Sequence, residues 1–278
     1  MSGQKFVDLH LHTIFSDGTW TPESLVEAAC ERNLSAIAVT DHDTIDGVKR
    51  AKEAAKTRGL EVVAGVELSS FIEGEKKEAH ILGYFFNDDY ILIKKELDIF
   101  KQDRLRRAYE MLNKLAQCGI ALKDISFLKQ ENRSVGRFHF AKAIVESGYA
   151  NTTQGAFEKY IGIGKPCYVG KKMLAAHDAI KLIKKYGGIP VCAHPYYLND
   201  RVLLGRLADE GLMGIEVWHS KHSSQMKEFL LGIAKSLNLI ATGGSDCHGG
   251  YKKDPPIIAS QRVDYEVLEN LKKAAGVK

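Results

Sequence analysis

The first strand-like stretch of the chain carries two histidines and an aspartate on one face. Over residues 7–12, apolar side chains alternate with Asp8, His10 and His12, and this period of two predicts a strand with one polar face. Two histidines separated by one strand residue lie about 7 Å apart along the strand, so their ring nitrogens can converge on one metal ion. An isolated pair of this kind is more often two half-exposed histidines, so the rest of the chain decides between the two interpretations.

The composition is that of one large globular domain, or of one domain with an insertion. The chain has 278 residues, of which 45% are hydrophobic, and this is enough for a full core. A formal charge of +4 suits a phosphorylated substrate but is too small, alone, to predict nucleic-acid binding. Residues 1–20 lack the apolar segment of a signal peptide, and no apolar run reaches the length of a membrane span.

The cysteines show no C-x-x-C pair and their number is odd, which indicates free thiols in a reducing compartment. They are Cys30, Cys118, Cys167, Cys192 and Cys247. We therefore expect a soluble, cytoplasmic protein with no membrane contact and no obligate protein partner.

Strand and helix signals alternate in the first and last thirds of the chain. Thr21 and Pro22 predict a helix start, with threonine as N-cap and proline in the first turn, and Gly59 predicts the end of a second helix. Seven strands are predicted, one fewer than in a closed eight-stranded barrel: 7–12, 34–40, 60–66, 79–85, 189–193, 214–218 and 239–242. In barrel folds, polar residues at the carboxyl ends of the strands build the active site.

The alternation lapses between about residues 88 and 170, where charged helical patterns prevail. We predict three segments: 1–87 as the first part of an α/β barrel, 88–170 as a mainly helical insertion and 171–278 as the second part of the barrel. In the insertion, Arg137 is predicted in the first turn of a helix, where free backbone N–H groups favour an anion. A glycine-rich stretch there carries Lys165.

Nine imidazoles and carboxylates lie at, or just past, the predicted strands. They are His10, His12, Asp17, His42, Glu67, His80, His194, Asp246 and His248. Imidazole and carboxylate without a cysteine pattern suit Mn²⁺, Zn²⁺ or Fe²⁺ in catalytic sites. Nine ligands are too many for one ion, so two or three clustered ions are expected, of the kind that activate water and clamp a phosphoester.

Five motifs, in order, resemble the PHP (polymerase and histidinol phosphatase) superfamily of metal-dependent phosphoesterases. They are DLHLHT with SDG from Asp8, TDHDT from Thr40, GVE from Gly65, AHP from Ala193 and GSDCHG from Gly244. The match covers nearly the whole chain. The resemblance implies a distorted (β/α)₇ barrel with a trinuclear site, Mn²⁺ as the first choice of ion with Zn²⁺ and Fe²⁺ as alternatives, and a hydroxide that bridges the metals.

Carried over motif by motif, the resemblance divides the nine residues among three ions. The first would be held by His10, His12, Glu67 and Asp246. The second would be held by Glu67, His80 and His194, with Glu67 bridging, and the third by Asp17, His42 and His248. Asp8, Asp41 and Asp43 would orient the histidines from behind, although Asp43 also fits a helix cap.

The first motif and the insertion around Gly136 resemble one branch of the superfamily most closely. Its members are 3′,5′-nucleoside bisphosphate phosphatases and 5′→3′ exoribonucleases. The implied substrate is a phosphorylated nucleotide or a short oligoribonucleotide, with the 3′-phosphate released to give the 5′-monophosphate, or with RNA shortened from its 5′ end. Two residues depart from the branch pattern: Phe138 stands where proline is usual and Cys247 where an aromatic is common. Strand-like alternation turns the Cys247 thiol away from the ions.

Four residues are predicted to contact the substrate: Arg137 as a phosphate anchor, Lys165, His222 and Ser223. The last two follow the sixth strand, where barrel loops line the pocket. His219 is expected in packing or behind the metal ligands, and His139 and His177 on helix surfaces.

Two other functions stay open at this point. A histidinol-phosphate phosphatase would use the same chemistry on a small cationic substrate, and would place acidic residues near its ammonium group, of which none stand out. A noncatalytic PHP binding module would have lost ligands, whereas all nine are present.

Overall fold

The computed structural model describes residues 4–75, 77–128, 135–197, 200–250 and 255–277. The chain divides into two compact units, Met1–Lys95 with Met173–Lys278, and Glu96–Lys172. That residues 88–170 form an insertion between two parts of a barrel stays a prediction. None of the described helices is long and apolar enough to cross a membrane.

The elements follow one another in three groups. The chain first forms β1 (Phe6–Leu11), α1 (Pro22–Glu31), β2 (Leu34–Val39), α2 (Asp46–Ala55), β3 (Glu61–Phe71), β4 (Glu78–Phe85) and a 3₁₀ helix (Asp88–Ile93). Then come α3 (Lys94–Gln117), a 3₁₀ turn (Ser126–Leu128), α4 (Arg137–Glu146), α5 (Thr153–Ala156) and a π-helical turn (Phe157–Ile161). The third group is β5 (Leu174–Ala175), α6 (Ala176–Lys185), β6 (Ile189–Cys192), a 3₁₀ turn (Pro195–Tyr197), α7 (Arg201–Asp209), β7 (Gly214–Trp218), α8 (Ser224–Ser236), β8 (Ile240–Gly243), β9 (Val263–Asp264) and α9 (Tyr265–Ala274).

The strands form one sheet that nearly closes into a barrel. Its order is β8-β7-β6-β4-β3-β2-β1-β9, with β5 paired to β3. β1, β2 and β3 are parallel, as are β6, β7 and β8, whereas β4 runs antiparallel to both of its neighbours. The seven predicted strands are β1 to β4 and β6 to β8, and the other two have two residues each. The predicted distorted (β/α)₇ barrel is therefore confirmed.

Backbone hydrogen bonds join the loop after β8 to the end of β1. The Asp246 N–H donates to the His10 carbonyl at 3.0 Å, and the His12 N–H donates to the Cys247 carbonyl at 3.0 Å. These two bonds hold the loop after β8 against β1 at the carboxyl ends of the parallel strands.

The predicted helix signals act as expected in the first unit. The Thr21 hydroxyl accepts a hydrogen bond from the Ser24 N–H and caps α1. Gly59 has φ +66°, a left-handed conformation that glycine adopts without strain. Apolar side chains of β1, β2, β3, β4 and β6 meet those of α9 in one buried cluster, which holds the strands against the helix.

β3 is longer than predicted, and this changes the setting of Glu67. The strand was expected to end at residue 66, but it continues to Phe71 because its second half pairs antiparallel with β4. Glu67 therefore lies inside a strand. Its N–H donates to the Asp41 carbonyl and its carbonyl accepts from the Asp43 N–H, so the loop after β2 fixes its backbone on the other side.

The second unit has its own core, in which α3 packs on α4 and the segments that follow it. Met111, Leu115, Phe140 and Ile144 are buried in one cluster there. His139 was predicted on a helix surface, and this was wrong. Its ring is 7% exposed and stacks on Phe127 with 5.7 Å between ring centroids, because its Nδ1 turns back to the Gly136 N–H at the helix start.

Gly244 is the point where barrel closure leaves no room for a side chain. A Cβ atom there would lie 2.4 Å from the His10 nitrogen and 2.5 Å from the His10 Cβ. We expect Gly244→Ala to lower the free energy of unfolding by about 1–3 kcal/mol, because the loop after β8 must move away from β1. Gly232→Ala in α8 is the matched control, since a Cβ there meets nothing within 4 Å. It should stabilise by about 0.5–1 kcal/mol. Denaturant unfolding of both variants checks this, and equal stabilities would contradict the close approach.

Candidate metal centre

The structure brings all nine predicted ligands together at one end of the barrel in the first unit. Their donor atoms form four overlapping groups in which all atoms lie within 4.8 Å of one another. The groups are His12, Asp17, His42 and His248; His10, Glu67 and His194; His10, His12 and Asp246; and His42, Glu67 and His80. His80 joins them because β4 is antiparallel, so its amino-terminal end lies where the parallel strands have their carboxyl ends.

The carboxylate of Glu67 lies at the centre of the cluster, and its two oxygens face different histidines. Oε2 is 3.3 Å from His10 Nε2, 3.3 Å from His12 Nε2 and 3.0 Å from His42 Nδ1. Oε1 is 2.8 Å from His80 Nδ1 and 2.9 Å from His194 Nε2. One carboxylate thus contacts two sets of imidazoles, as a ligand shared by two ions would.

Two imidazole nitrogens each lie close to the same two carboxylate oxygens. His10 Nε2 and His12 Nε2 lie 3.5 and 3.2 Å from Asp246 Oδ1, and each lies 3.3 Å from Glu67 Oε2. Ligands at 2.0–2.2 Å from a tetrahedrally coordinated ion are about 3.4 Å apart. These donors can hold one ion with little rearrangement.

Asp17 lies at the centre of another group of potential ligands. Its carboxylate lies 3.2 Å from His248 Nε2, 3.9 Å from His42 Nε2 and 4.0 Å from His12 Nδ1. His42 faces Glu67 through Nδ1 and Asp17 through Nε2, so it stands between two groups. His12 was expected at the first ion alone, and here it also belongs to the group around Asp17.

Five buried atoms of the cluster have no partner with hydrogen-bond geometry among the described residues. They are His10 Nε2, His12 Nε2, Asp17 Oδ1, His42 Nδ1 and Glu67 Oε2. Leaving buried polar atoms unsatisfied is costly, and each of these belongs to a group of potential ligands. The residues present therefore fit divalent metal ions.

Two imidazoles are held in the tautomer that a ligand requires. His248 Nδ1 lies 2.9 Å from the Asp246 carbonyl oxygen, which can only accept, so Nδ1 carries the proton and Nε2 keeps its lone pair. His10 Nδ1 lies 3.0 Å from Glu216 Oε1, which leaves His10 Nε2 free to bind an ion.

Glu216 is a site residue that the sequence reasoning missed. It is fully buried in β7, contacts His10, and accepts a hydrogen bond of 2.7 Å from the His194 N–H through Oε2. Burial acts to raise the pKa of Glu216, but His10, His219 and His194 outweigh it and hold the pKa below the usual value. The sequence signal that could have found it is a lone carboxylate between apolar residues of a predicted strand. Glu216 belongs to none of the motifs quoted above.

The backbone is strained at two of the candidate ligands. His194 has φ +27° and Asp246 has φ +57°, in a region that residues other than glycine rarely adopt. The bond from the His194 N–H to Glu216 and the bond from the Asp246 N–H to β1 hold these conformations. Both residues follow the ends of strands, where the chain turns sharply into the site.

The three aspartates expected to orient histidines accept hydrogen bonds from loop N–H groups and hydroxyls, and their role toward the histidines stays a prediction. Asp8 accepts from the Ser245 and Ala259 N–H groups, at 2.8 and 2.9 Å. Asp41 accepts from Thr13 and Ser16, and the Ser16 hydroxyl in turn lies 3.4 Å from His12 Nδ1. Asp43 accepts from the Ser69 N–H, and the residue at the helix-cap position of α2 is Ile45.

His219 does contact a ligand from behind. Its Nδ1 accepts from the Lys221 N–H, so its Nε2 carries the proton and faces Asp246 Oδ2 at 3.4 Å. Cys247 belongs to none of the groups of potential ligands, and its buried sulfur accepts from the Gly249 N–H.

The four predicted substrate contacts lie in different settings. Arg137 opens α4 in the second unit, and its guanidinium lies over the rings of Phe157 and Tyr168. Lys165 is exposed in the same unit. His222 is 6% exposed and its Nδ1 donates to the Val217 carbonyl. The Ser223 hydroxyl caps α8 by accepting from the Met226 N–H.

A cavity of about 240 Å³ opens onto the cluster within the first unit. It is lined by His42, Glu67, Glu78, Ala79, His80, Ala193, His194, Tyr196, Lys221, Asp246 and His248. Lys221, which follows β7, lies with its ammonium 5.8 Å from the centroid of the Tyr196 ring. It brings a positive charge to a wall otherwise made of candidate metal ligands, Glu78 and small or aromatic side chains.

The fold and the cluster together define an α/β barrel in which imidazoles and carboxylates that fit divalent metal ions lie at the carboxyl ends of the parallel strands. The chain belongs to the PHP domain family, whose model matches residues 8–273. It is 34% identical over 268 residues to the 3′,5′-nucleoside bisphosphate phosphatase of Chromobacterium violaceum, covering 90% of this chain and 93% of that protein. It is 32% identical over 249 residues to a 5′-3′ exoribonuclease of Haemophilus influenzae, covering 88% and 90%. A solved structure from Bifidobacterium adolescentis, described as a metal-dependent phosphoesterase, has a TM-score of 0.86 at 30% identity, covering 99% of this chain and 97% of that one.

Glu216→Gln tests the support that Glu216 gives to His10. We expect metal affinity to fall about 10–100-fold, because the amide holds the His10 tautomer less strongly and lowers its basicity. Metal titration followed by elemental analysis measures this directly. Glu23→Gln is the control, since Glu23 is paired with Arg50 at the surface. Unchanged affinity in Glu216→Gln would mean that the carboxylate does not tune the site.

Proposed function

We propose that the chain is a metal-dependent phosphoesterase that acts on nucleotides. Its substrates would be 3′,5′-nucleoside bisphosphates, from which it releases the 3′-phosphate, and short RNA attacked from the 5′ end. The observation that carries the proposal is the convergence of nine imidazole and carboxylate side chains around Glu67. The named activities of the two relatives of known function support the choice of substrate.

Two to three divalent ions would be held by the nine residues, with Mn²⁺ as the first choice and Zn²⁺ or Fe²⁺ as alternatives. The contacts of His10 and His12 with Asp246 and Glu67 support one ion, and the contacts of the second Glu67 oxygen with His80 and His194 support another. The group around Asp17 supports a third. Bound there, the ions would supply an activated water and neutralise the charge of the phosphoryl group.

The protein side chains would hold this arrangement rigid. Glu67 would bind one ion through each of its two oxygens. Glu216 would orient His10, and His219 would orient Asp246. Lys221, which lines the cavity, would donate a hydrogen bond to a phosphate oxygen. Burial acts to raise the pKa of Glu67, but His42, His80 and His10 outweigh it and keep the pKa well below the usual value. The central carboxylate therefore stays ionised and available as a ligand.

Three arginines in the second unit support the proposal that the substrate carries a second anionic group. Arg104 and Arg107 of α3 are only 7% and 4% exposed. Burial lowers the pKa of Arg107 to about 10, and the nearby charges of Arg104 and Arg137 act in the same direction. Bringing like charges together under burial costs free energy, and a bound phosphate would lower that cost.

Arg137 is the member of this arginine cluster best presented to a ligand. It lies in the first turn of α4, where backbone N–H groups favour an anion, and it is only partly buried. Its guanidinium lies 5.4 Å from the Tyr168 centroid and 5.7 Å from the Phe157 centroid, so the two rings hold its orientation. We assign to Arg137 the second, unreacting phosphate, with Lys165 as an additional cation.

A substrate screen tests the proposed function. With Mn²⁺ present, phosphate release is measured over 3′,5′-bisphosphates, mononucleotides, histidinol phosphate and p-nitrophenyl phosphate, and the release of mononucleotides is measured over short 5′-phosphorylated RNAs. The proposal requires the 3′,5′-bisphosphates or the short RNAs to have the highest kcat/KM. Preference for histidinol phosphate would replace it with that phosphatase, and no turnover of any compound by metal-loaded protein would favour a binding module.

Metal content and Glu67 give a separate prediction. We expect two to three ions per chain in active protein, and loss of activity on chelation. Glu67→Gln should lower both the ion count and turnover, the latter at least about 100-fold, because two ions would share this ligand. Glu61→Gln at the start of the same strand is the control, since Glu61 pairs with Lys272 and Tyr265. One ion or fewer in active protein would refute the multinuclear site.

Arg137→Ala separates the second phosphate from the reacting one. We expect kcat/KM on 3′,5′-bisphosphates to fall more than tenfold, about 1.4 kcal/mol or more, with a much smaller loss on p-nitrophenyl phosphate. Arg106→Ala on α3 is the control, because Arg106 is exposed and pairs with Asp103 and Glu110. Equal losses on both substrates would mean that Arg137 supports structure instead of binding a phosphate.

A further inference from the structure

We propose that Cys118 and Cys167 form an intramolecular disulfide when the protein meets a hydroperoxide. Their sulfurs lie 3.5 Å apart although the residues are 49 positions apart in the chain. A disulfide needs a sulfur–sulfur distance of about 2.05 Å, so the two side chains must approach by about 1.5 Å. Both residues lie in the second unit, away from the candidate metal ligands in the chain.

The two thiols differ in exposure, and this assigns them different roles. Cys118 directly follows the last residue of α3 and is exposed, so it can meet an oxidant in solution. Cys167 is fully buried in the core of the second unit, against α3 and α4. Burial and the neighbouring Cys118 raise the pKa of Cys167 to about 11, so it stays a thiol in neutral solution. Cys118 is therefore the sulfur that is oxidised first, and Cys167 is the one that then attacks the oxidised sulfur.

The chemistry balances with hydrogen peroxide as the oxidant. The Cys118 thiolate attacks one peroxide oxygen, the O–O bond breaks, and a sulfenic acid and one water result once protons are transferred. The Cys167 sulfur then attacks the sulfenic sulfur, the S–S bond forms, and the hydroxyl group leaves with the Cys167 proton as a second water. In total, two thiols lose two electrons and two protons, and the peroxide is reduced to two waters.

The bond would tie two segments that already contact each other. The Lys114 ammonium, one turn before Cys118, donates to the Tyr168 carbonyl at 2.8 Å, next to Cys167. The Cys167 N–H donates to the Tyr160 carbonyl at 2.8 Å, which fixes the backbone of the buried partner. Because these segments are held in place, the approach of the sulfurs requires local side-chain movement. Tyr168, on which Arg137 stacks, would be held closer to α3.

The experiment is peptide mapping of the full chain after mild peroxide treatment. Trypsin without reductant should give a linked pair of peptides, 115–123 and 160–171, that separates on reduction. Cys118→Ser and Cys167→Ser should each remove this pair, whereas Cys30→Ser should keep it. Oxidised wild-type protein should also unfold at a higher temperature than the reduced protein, and the two serine variants should show no such rise.

Three other results would overturn the proposal. The first is stable oxidation of Cys118 to sulfinic acid with no linked pair. The second is a linkage between chains, seen as a dimer on non-reducing gels. The third is the same yield of the linked pair from protein that was digested without peroxide treatment, which would show that the peptides join during or after digestion.

Discussion

The burial of one carboxylate among five imidazoles is the constraint on which the rest of the centre depends. Glu67 has no exposed surface, and its oxygens face His10, His12 and His42 on one side and His80 and His194 on the other. The rings of this cluster cannot all be protonated together, because neighbouring imidazolium ions repel one another. Burial lowers the pKa of His42 to about 3, for example, against the attraction of Glu67 and Asp17. Divalent ions would remove this repulsion, since each ion would neutralise the carboxylates while the rings that bind it stay uncharged.

The barrel supplies this carboxylate with rigid surroundings from every direction. The loop after β2 holds the backbone of Glu67, and the loop after β8 is bonded to β1 beside His10. Behind the ligands, Glu216 fixes His10 and the N–H of His194 at once. The positive φ of His194 and Asp246 is the conformational cost of aiming these residues inward. At these two positions the strain serves ligand placement.

Local patterns predicted most of the fold and the positions of the nine candidate ligands, because alternation and motif order depend on neighbouring residues. What failed depends on contacts between distant segments. The end of β3 is determined by pairing with β4, so Glu67 was placed one position past the strand. Glu216 belongs to no quoted motif, and only packing shows it against His10. Arg104 and Arg107 resemble solvated charges on a polar helix, and their burial follows from the core of the second unit.

Closure of the barrel also determines at which stage of synthesis and folding all nine candidate ligands can lie together. Ser245 and Asp8 are 237 residues apart, yet they are joined by a hydrogen bond beside the site. Contacts of such separation form late in folding, and a chain under synthesis exposes His10 and His12 long before Asp246 emerges from the ribosome. During that interval the nascent chain carries an incomplete set of donors. A full set of ions would thus be acquired only by a folded chain, and the choice of metal would then depend on the finished barrel and its surroundings.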